Sequence, residues 1–167
     1  RNEYVVIGAH FDHIGMGGTG TGSRKPDTTG IHSGADDNAS GTAGLLEIAQ
    51  KLVSQKSRLK RSVLLLGFDA EEKGLLGAKY FTENPLVELQ NIVAMINLDM
   101  IGRMKDSSIT VGGVGTSPLF ELLLNEESVG RNFTINMTKP GYGPSDHAAF
   151  YTKDIPVLFF FTGFHNE

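Results

Sequence analysis

Four short runs of Val, Ile, Leu and Phe, at Tyr4 to Ala9, Val63 to Phe68, Ile92 to Leu98 and Val157 to Phe161, each give way at the C-terminal side to acidic or imidazole side chains. Runs this short and this evenly apolar, without polar alternation, have the pattern of strands buried on both faces. Such a sheet needs helices on both sides. Between the first two runs, Leu45, Ile48, Ala49, Leu52 and Val53 fall on one face of a helix predicted over Gly41 to Val53, with Ser40 and Gly41 marking its start. Further helices are expected at Leu75 to Phe81, Ser117 to Asn125 and Asp146 to Tyr151, and weaker strands at Ser108 to Gly112 and Asn132 to Met137 as edge pieces. The alternation predicts an α/β fold, a three-layer α/β/α sandwich around a largely parallel sheet.

Composition narrows the function. A chain of 167 residues can bury about 70% of the surface its unfolded form exposes, so residues 1–167 are read as one domain. Its opening, "RNEYVVIGAH", lies almost inside a strand, and "FTGFHNE" closes it without a helix; the expectation is a domain cut from a longer protein at both ends. The net charge of −4 offers no basic footprint for nucleic acid. The absence of cysteine removes disulfides, thiolate metal sites and cysteine nucleophiles together. Apolar stretches such as "IPVLFFF" fall far short of the roughly 20 residues that span a bilayer, so no membrane insertion is expected. The glycine-rich Gly15 to Gly34 resembles a phosphate loop only superficially: Gly22 is followed by Ser23 and Arg24, where that motif needs Lys and then Ser or Thr. It reads as a surface loop.

Open α/β sheets bind ligands at the carboxyl edge of their strands, and the polar residues there are of one kind. "VVIGAHFDH" supplies His10, Asp12 and His13; "SGADDNASG" supplies Asp36 and Asp37; "LLLGFDAEE" supplies Asp69, Glu71 and Glu72; "MINLDMIGR" supplies Asp99; "VLFFFTGFH" supplies His165. So many carboxylates would repel one another unless a cation compensates them. Imidazole with carboxylate suits zinc, and also manganese or cobalt. The donors outnumber those that one zinc takes, which suggests two metals sharing a carboxylate. His10 and Asp12, two apart on an extended chain, point the same way, so Asp12 is expected to accept a hydrogen bond from a metal-binding imidazole. Glu71 and Glu72 point apart; one is expected to hold metal and the other to work on water. Asp36 reads as an N-cap, Asp146 as the cap of the helix it begins, and His13 and His32 as structural or exposed.

In combination, "GAHFDH", "SGADDNASG", "DAEEKGLLGAKYF", "NLDMIGR", "SDHAAF" and "IPVLFFFTG" resemble the di-zinc aminopeptidase family of the bacterial leucyl aminopeptidase and plasma glutamate carboxypeptidase type. The resemblance spans essentially the whole chain. It implies a zinc-peptidase, phosphorylase/hydrolase-like sandwich with a mixed sheet and two Zn2+ per site, Mn2+ or Co2+ being possible substitutes. It implies His10 and Asp99 as ligands of one zinc, Glu72 of the other, Asp37 as the bridge, Glu71 as the base, and a cis peptide between Asp37 and Asn38. The last ligand would be a histidine beyond Glu167, with His165 as a weaker substitute. The implied reaction is release of an N-terminal residue from a peptide substrate, with Tyr142 and Arg103 as candidate substrate contacts. Carboxypeptidase or dipeptidase activity, glutaminyl cyclase chemistry and an inactive binding module are the alternatives. The family also implies a periplasmic or secreted location. Oligomeric state stays open.

Overall fold

The computed structural model describes residues 2–164. Its six strands are β1 Tyr4–His10, β2 Ser62–Phe68, β3 Ile92–Leu98, β4 Ser108–Gly112, β5 Thr134–Met137 and β6 Val157–Phe161, in one sheet of order β2-β1-β3-β6-β4-β5. β1 runs parallel to β2 and β3, β3 to β6, and β4 to β5, whereas β4 and β6 are antiparallel. The four apolar runs therefore occupy four adjacent parallel positions. Of the two weaker strands, β5 is at the edge as expected, but β4 is not. Pairing with β6 on one side and β5 on the other leaves its Val111 fully buried.

Four helices cover the sheet: α1 Gly41–Ser54, α2 Leu76–Glu83, α3 Phe120–Ser128 and α4 His147–Tyr151. α2 starts after Leu75, whose φ of +62° is left-handed, and α3 starts later than expected because Ser117 is extended. The period of two along β1 assigns the faces. Val5, Ile7 and Ala9 meet Leu45, Ile48 and Leu52 of α1. Val6 points the other way, into a core with Phe68, Phe81, Met95 and Phe150 beneath α2 and α4. α3 closes a third cluster around Val111, Phe120, Leu124 and Leu158. No helix among the described residues is long and apolar enough to cross a membrane.

The connection from β1 to β2 leads to one side, and the connection from β2 to β3 crosses back over β1. Strand order thus reverses between β1 and β3, and such a switch point opens a crevice at the strands' carboxyl ends. His10 is the last residue of β1, and Asp99 follows β3 directly.

Candidate metal centre

At the switch point, His10 Nε2 lies 3.3 Å from Asp37 Oδ1 and 3.4 Å from Asp99 Oδ1. The imidazole is 1% exposed. Its Nδ1 donates to the backbone carbonyl of Asp12 at 3.1 Å, which directs Nε2 at the two carboxylates. Burial alone would lower the His10 pKa, but hydrogen bonding and charge from Asp37 and Asp99 outweigh it and raise it to about 11.

Asp37 arrives on an irregular turn, Ala35–Ser40, and its peptide bond to Asn38 is cis. Asn38, 1% exposed, braces this turn against the end of β3. Its Nδ2 donates to the Leu98 carbonyl at 2.9 Å, and its Oδ1 accepts from the backbone N–H of Gly41 at 3.0 Å and of Met100 at 3.1 Å. A side chain at position 41 would collide with both Asn38 Oδ1 and the Leu98 carbonyl, so only glycine lets α1 begin this close to β3. Asp36 is not the expected N-cap. Its Oδ1 accepts from Gly102 N–H at 2.7 Å and ties the turn to the chain beyond β3.

β2 ends in a sharp bend. Ala70 has φ +54°, and its N–H donates to Asp69 Oδ1 at 2.8 Å; a left-handed non-glycine residue of this kind is uncommon and concentrates at functional sites. The bend turns Glu71 and Glu72 inward. Here the expectation for Asp12 fails: its carboxylate is 3.6 Å from His10 Nδ1 and instead accepts from the backbone N–H groups of Glu71 at 3.0 Å and Glu72 at 3.3 Å. β1 has ended at His10, so the alternation that would align residues 10 and 12 no longer applies.

His13, read as structural or exposed, is half-buried. Its Nδ1 lies 2.8 Å from Glu72 Oε1 and 3.9 Å from Asp37 Oδ2, inside the cluster. The clue in the sequence was the second histidine of "HFDH", three residues after the first. His32 is structural as expected: Nδ1 donates to the Gly30 carbonyl and Nε2 accepts from Ser23 Oγ, each at 2.8 Å, fastening the glycine-rich loop. Tyr142 and Arg103 are exposed. His165 lies outside the described residues.

Burial raises Glu71 to about 8, against the charge of His10 and with that of Asp146, Asp99 and Glu72. Burial and then Asp37 raise Glu72 as well. Asp146 precedes α4 but makes no capping bond; both its oxygens are buried without a hydrogen-bond partner, and burial raises it to about 7. Below the site, Asn97 Nδ2 donates to Ser145 Oγ at 2.8 Å, and the His147 ring stacks on Phe159 at 4.4 Å.

Two groups of donors result, His10 with Asp37 and Asp99, and His13 with Asp37 and Glu72; within each, the donor atoms lie within 4.8 Å of one another. Imidazole and carboxylate without thiolate is a donor set for a divalent metal such as zinc. Glu72 Oε1 and His13 Nδ1 are buried and face each other at 2.8 Å. Glu71 belongs to neither group. Beside it opens a cleft of about 660 Å³ lined by Glu71, Glu72, Leu75, Lys79, Tyr142 and Pro144.

The chain matches Peptidase family M28 along its whole length, residues 1–167. It belongs to that family. Among curated relatives, leupeptin-inactivating enzyme 1 of Streptomyces exfoliatus is 28% identical over 97% of this chain and 33% of its own length. Among solved structures, the LapA aminopeptidase of Legionella pneumophila superposes with a TM-score of 0.73 at 27% identity, covering 98% of this chain and 42% of that one. BSAP, a zinc aminopeptidase from Bacillus subtilis, superposes with a TM-score of 0.72 at 27% identity, covering 98% and 37%. The M28 chain thus spans about a third of the length of the curated relative. Its mixed, mostly parallel sheet is the α/β fold that the sequence predicted.

Proposed function

We propose that this M28 chain carries the centre of a metal-dependent aminopeptidase that uses two divalent cations. In this reading His10, Asp37 and Asp99 hold one cation, Asp37 and Glu72 take part in holding the second, and Glu71 is the general base. The observation that carries it is the division between adjacent glutamates. Glu72 turns to Asp37 and His13, whereas Glu71 stays outside both donor groups with a pKa raised to about 8.

When bound, zinc ions, or manganese or cobalt in their place, would polarise the scissile carbonyl and make water a better nucleophile near neutral pH. The chain's residues supply the remainder. Asp12 fixes the backbone of both glutamates, and the carbonyl of Asp12 fixes the His10 ring. Glu71 accepts the proton of the attacking water and passes it to the leaving amine. The open cleft gives a peptide access to Glu71, with Leu75 and Tyr142 as apolar wall. That the N-terminal end is cut is supported by the aminopeptidases LapA and BSAP among the structural neighbours.

The test uses the full-length protein, stripped with a chelator and reloaded with zinc, on an aminoacyl-4-nitroanilide and its N-acetylated counterpart. Two zinc equivalents and hydrolysis of the free-amine substrate alone are expected. Equal cleavage of the acetylated compound, or no cleavage of either with both equivalents bound, would overturn the aminopeptidase reading.

A further inference from the structure

We infer that the trough between α2 and α4 receives the departing end of the substrate, and that Lys79 and Lys153 there bind its C-terminal carboxylate. The inference rests on the aminopeptidase reading above and deepens it: the preferred substrates are short peptides with a free C-terminus.

The position of the trough is the first support. The amine that Glu71 protonates stays on the departing peptide, so that peptide leads away through the opening that Glu71 borders. This opening, the cleft of about 660 Å³, adjoins a second cavity of about 240 Å³, and Leu75, Lys79 and Tyr142 line both. The path follows one row of residues. Leu75 N–H donates to the Glu71 carbonyl and Lys79 N–H to the Leu75 carbonyl, each at 2.9 Å, and Thr82 and Glu83 continue the row along α2. Two such turns carry the backbone about 11 Å from Glu71 to Lys79, and a helical side chain leans back toward the N-terminus by part of that distance. An extended peptide covers about 3.5 Å per residue. Two or three residues beyond the scissile bond therefore bring a terminal carboxylate to the lysine.

The second support is chemical. The floor of the second cavity includes Ala148 and Ala149, both buried and without polar side-chain atoms. The threonine hydroxyls beside it are already engaged: Thr82 Oγ1 donates to the Lys79 carbonyl at 3.0 Å, and Thr152 Oγ1 to the Ala149 carbonyl at 2.9 Å. The lining side chains left to donate are the two lysines and the Tyr142 hydroxyl. Lys79 stands on α2 and Lys153 follows α4, so cations flank the cavity from both sides. Neither forms an ion pair among the described residues, Glu83 at the same rim included. In a chain of net charge −4 this is a locally positive place, and the anions that an unmodified peptide offers are carboxylates.

The experiment uses full-length, zinc-loaded protein as parent, Lys79→Met, Lys153→Met and Lys79→Glu. The substrates are Leu-Ala-Ala, its C-terminal amide, Leu-Ala-Asp-amide and leucyl-4-nitroanilide, with KM and kcat measured separately. In the parent, KM for Leu-Ala-Ala should be about 5-fold below that for its amide at equal kcat, the scale of a partly exposed charge pair, and added salt should narrow the gap. Each Lys→Met change should remove most of that gap, and Lys79→Glu should reverse it. The nitroanilide carries no carboxylate, so all four proteins should cleave it alike, which also shows that each is folded. A lower KM for Leu-Ala-Asp-amide than for Leu-Ala-Ala would assign the lysines to an acidic side chain and overturn the free-C-terminus preference. If the parent cleaves the nitroanilide but does not distinguish acid from amide, or if the lysine variants leave the gap unchanged, the inference fails alone. If the nitroanilide is cleaved no better than its acetylated counterpart, the aminopeptidase reading fails and the inference with it.

Discussion

The two donor groups share Asp37 and little else. His10 and Asp99 emerge from the ends of adjoining parallel strands, with side chains 1% and 12% exposed. His13 and Glu72 stand on two loops, with side chains 23% and 18% exposed. Strand ends are positioned by the sheet's own hydrogen bonds, whereas the loop group depends on Gly34, where a Cβ would collide with the His13 side chain, and on the Asp12 carboxylate that holds the Glu71 and Glu72 backbone. The lesson is that one donor group is built by the fold and the other by local devices. A chelator should therefore empty them in two steps, the loop group first.

The largest effect should come from the residue common to both. Asp37→Asn weakens one oxygen in each group, so metal analysis should find neither equivalent tightly held, and activity should fall by about 10³-fold or more through loss of several kcal/mol of transition-state stabilisation. Retention of one equivalent would show that the groups do not share Asp37. Next is Glu71→Gln, expected to lower kcat by about 10² to 10⁴-fold while both equivalents remain. Loss of a cation in that variant would make Glu71 a ligand and break the division between the glutamates.

What was legible in the sequence follows the same line between fold and local device. β3 and β6 run over the residues the apolar pattern marked, Ile92–Leu98 and Val157–Phe161, because burial on both faces leaves no polar interruption to mislead. His10, Asp37, Glu72 and Asp99, which the structure gathers into two donor groups, could be picked out as candidates because each follows closely on an apolar run or introduces a helix. The hydrogen bonding of Asp12 was misjudged where β1 gives way to loop and the period of two lapses. The bracing role of the Asn38 side chain was invisible, since its partners Leu98 and Met100 are 60 and 62 residues away in the chain. Nor could any pattern show that Asp146, placed to cap α4, leaves both oxygens unpartnered.

The strand-built group rests on a buried floor, and acid should expose it. His147 is 2% exposed and stacked on Phe159, and burial lowers its pKa from the ordinary 6.5 to about 4. The folded chain therefore binds this proton less readily than the unfolded chain. The contribution is intact above pH 6.5 and is lost as pH falls from there to about 4, at about 1.4 kcal/mol per unit, on the order of 3 kcal/mol in all. Denaturant unfolding of metal-free protein across this range should show the loss, and His147→Phe, which keeps a ring against Phe159, should remove that part of the slope. An unchanged slope in the variant would place the acid sensitivity elsewhere.

The smallest expected effect separates the two groups most cleanly. Asp12 serves both, but with different atoms: its backbone carbonyl accepts from His10, and its carboxylate accepts from Glu71 and Glu72. Asp12→Ala removes only the second function. Two backbone N–H groups lose their acceptor, which should cost about 1–3 kcal/mol of stability, and the loop group should bind its cation about 10-fold more weakly. Affinity at His10, Asp37 and Asp99 should hold, because the carbonyl is untouched. If cation titration instead shows the strand-built position weakened, the carboxylate at 3.6 Å from Nδ1 orients the imidazole after all. The alternation of residues 10 and 12 would then be the better guide to the site than the hydrogen bonds to the glutamate backbone.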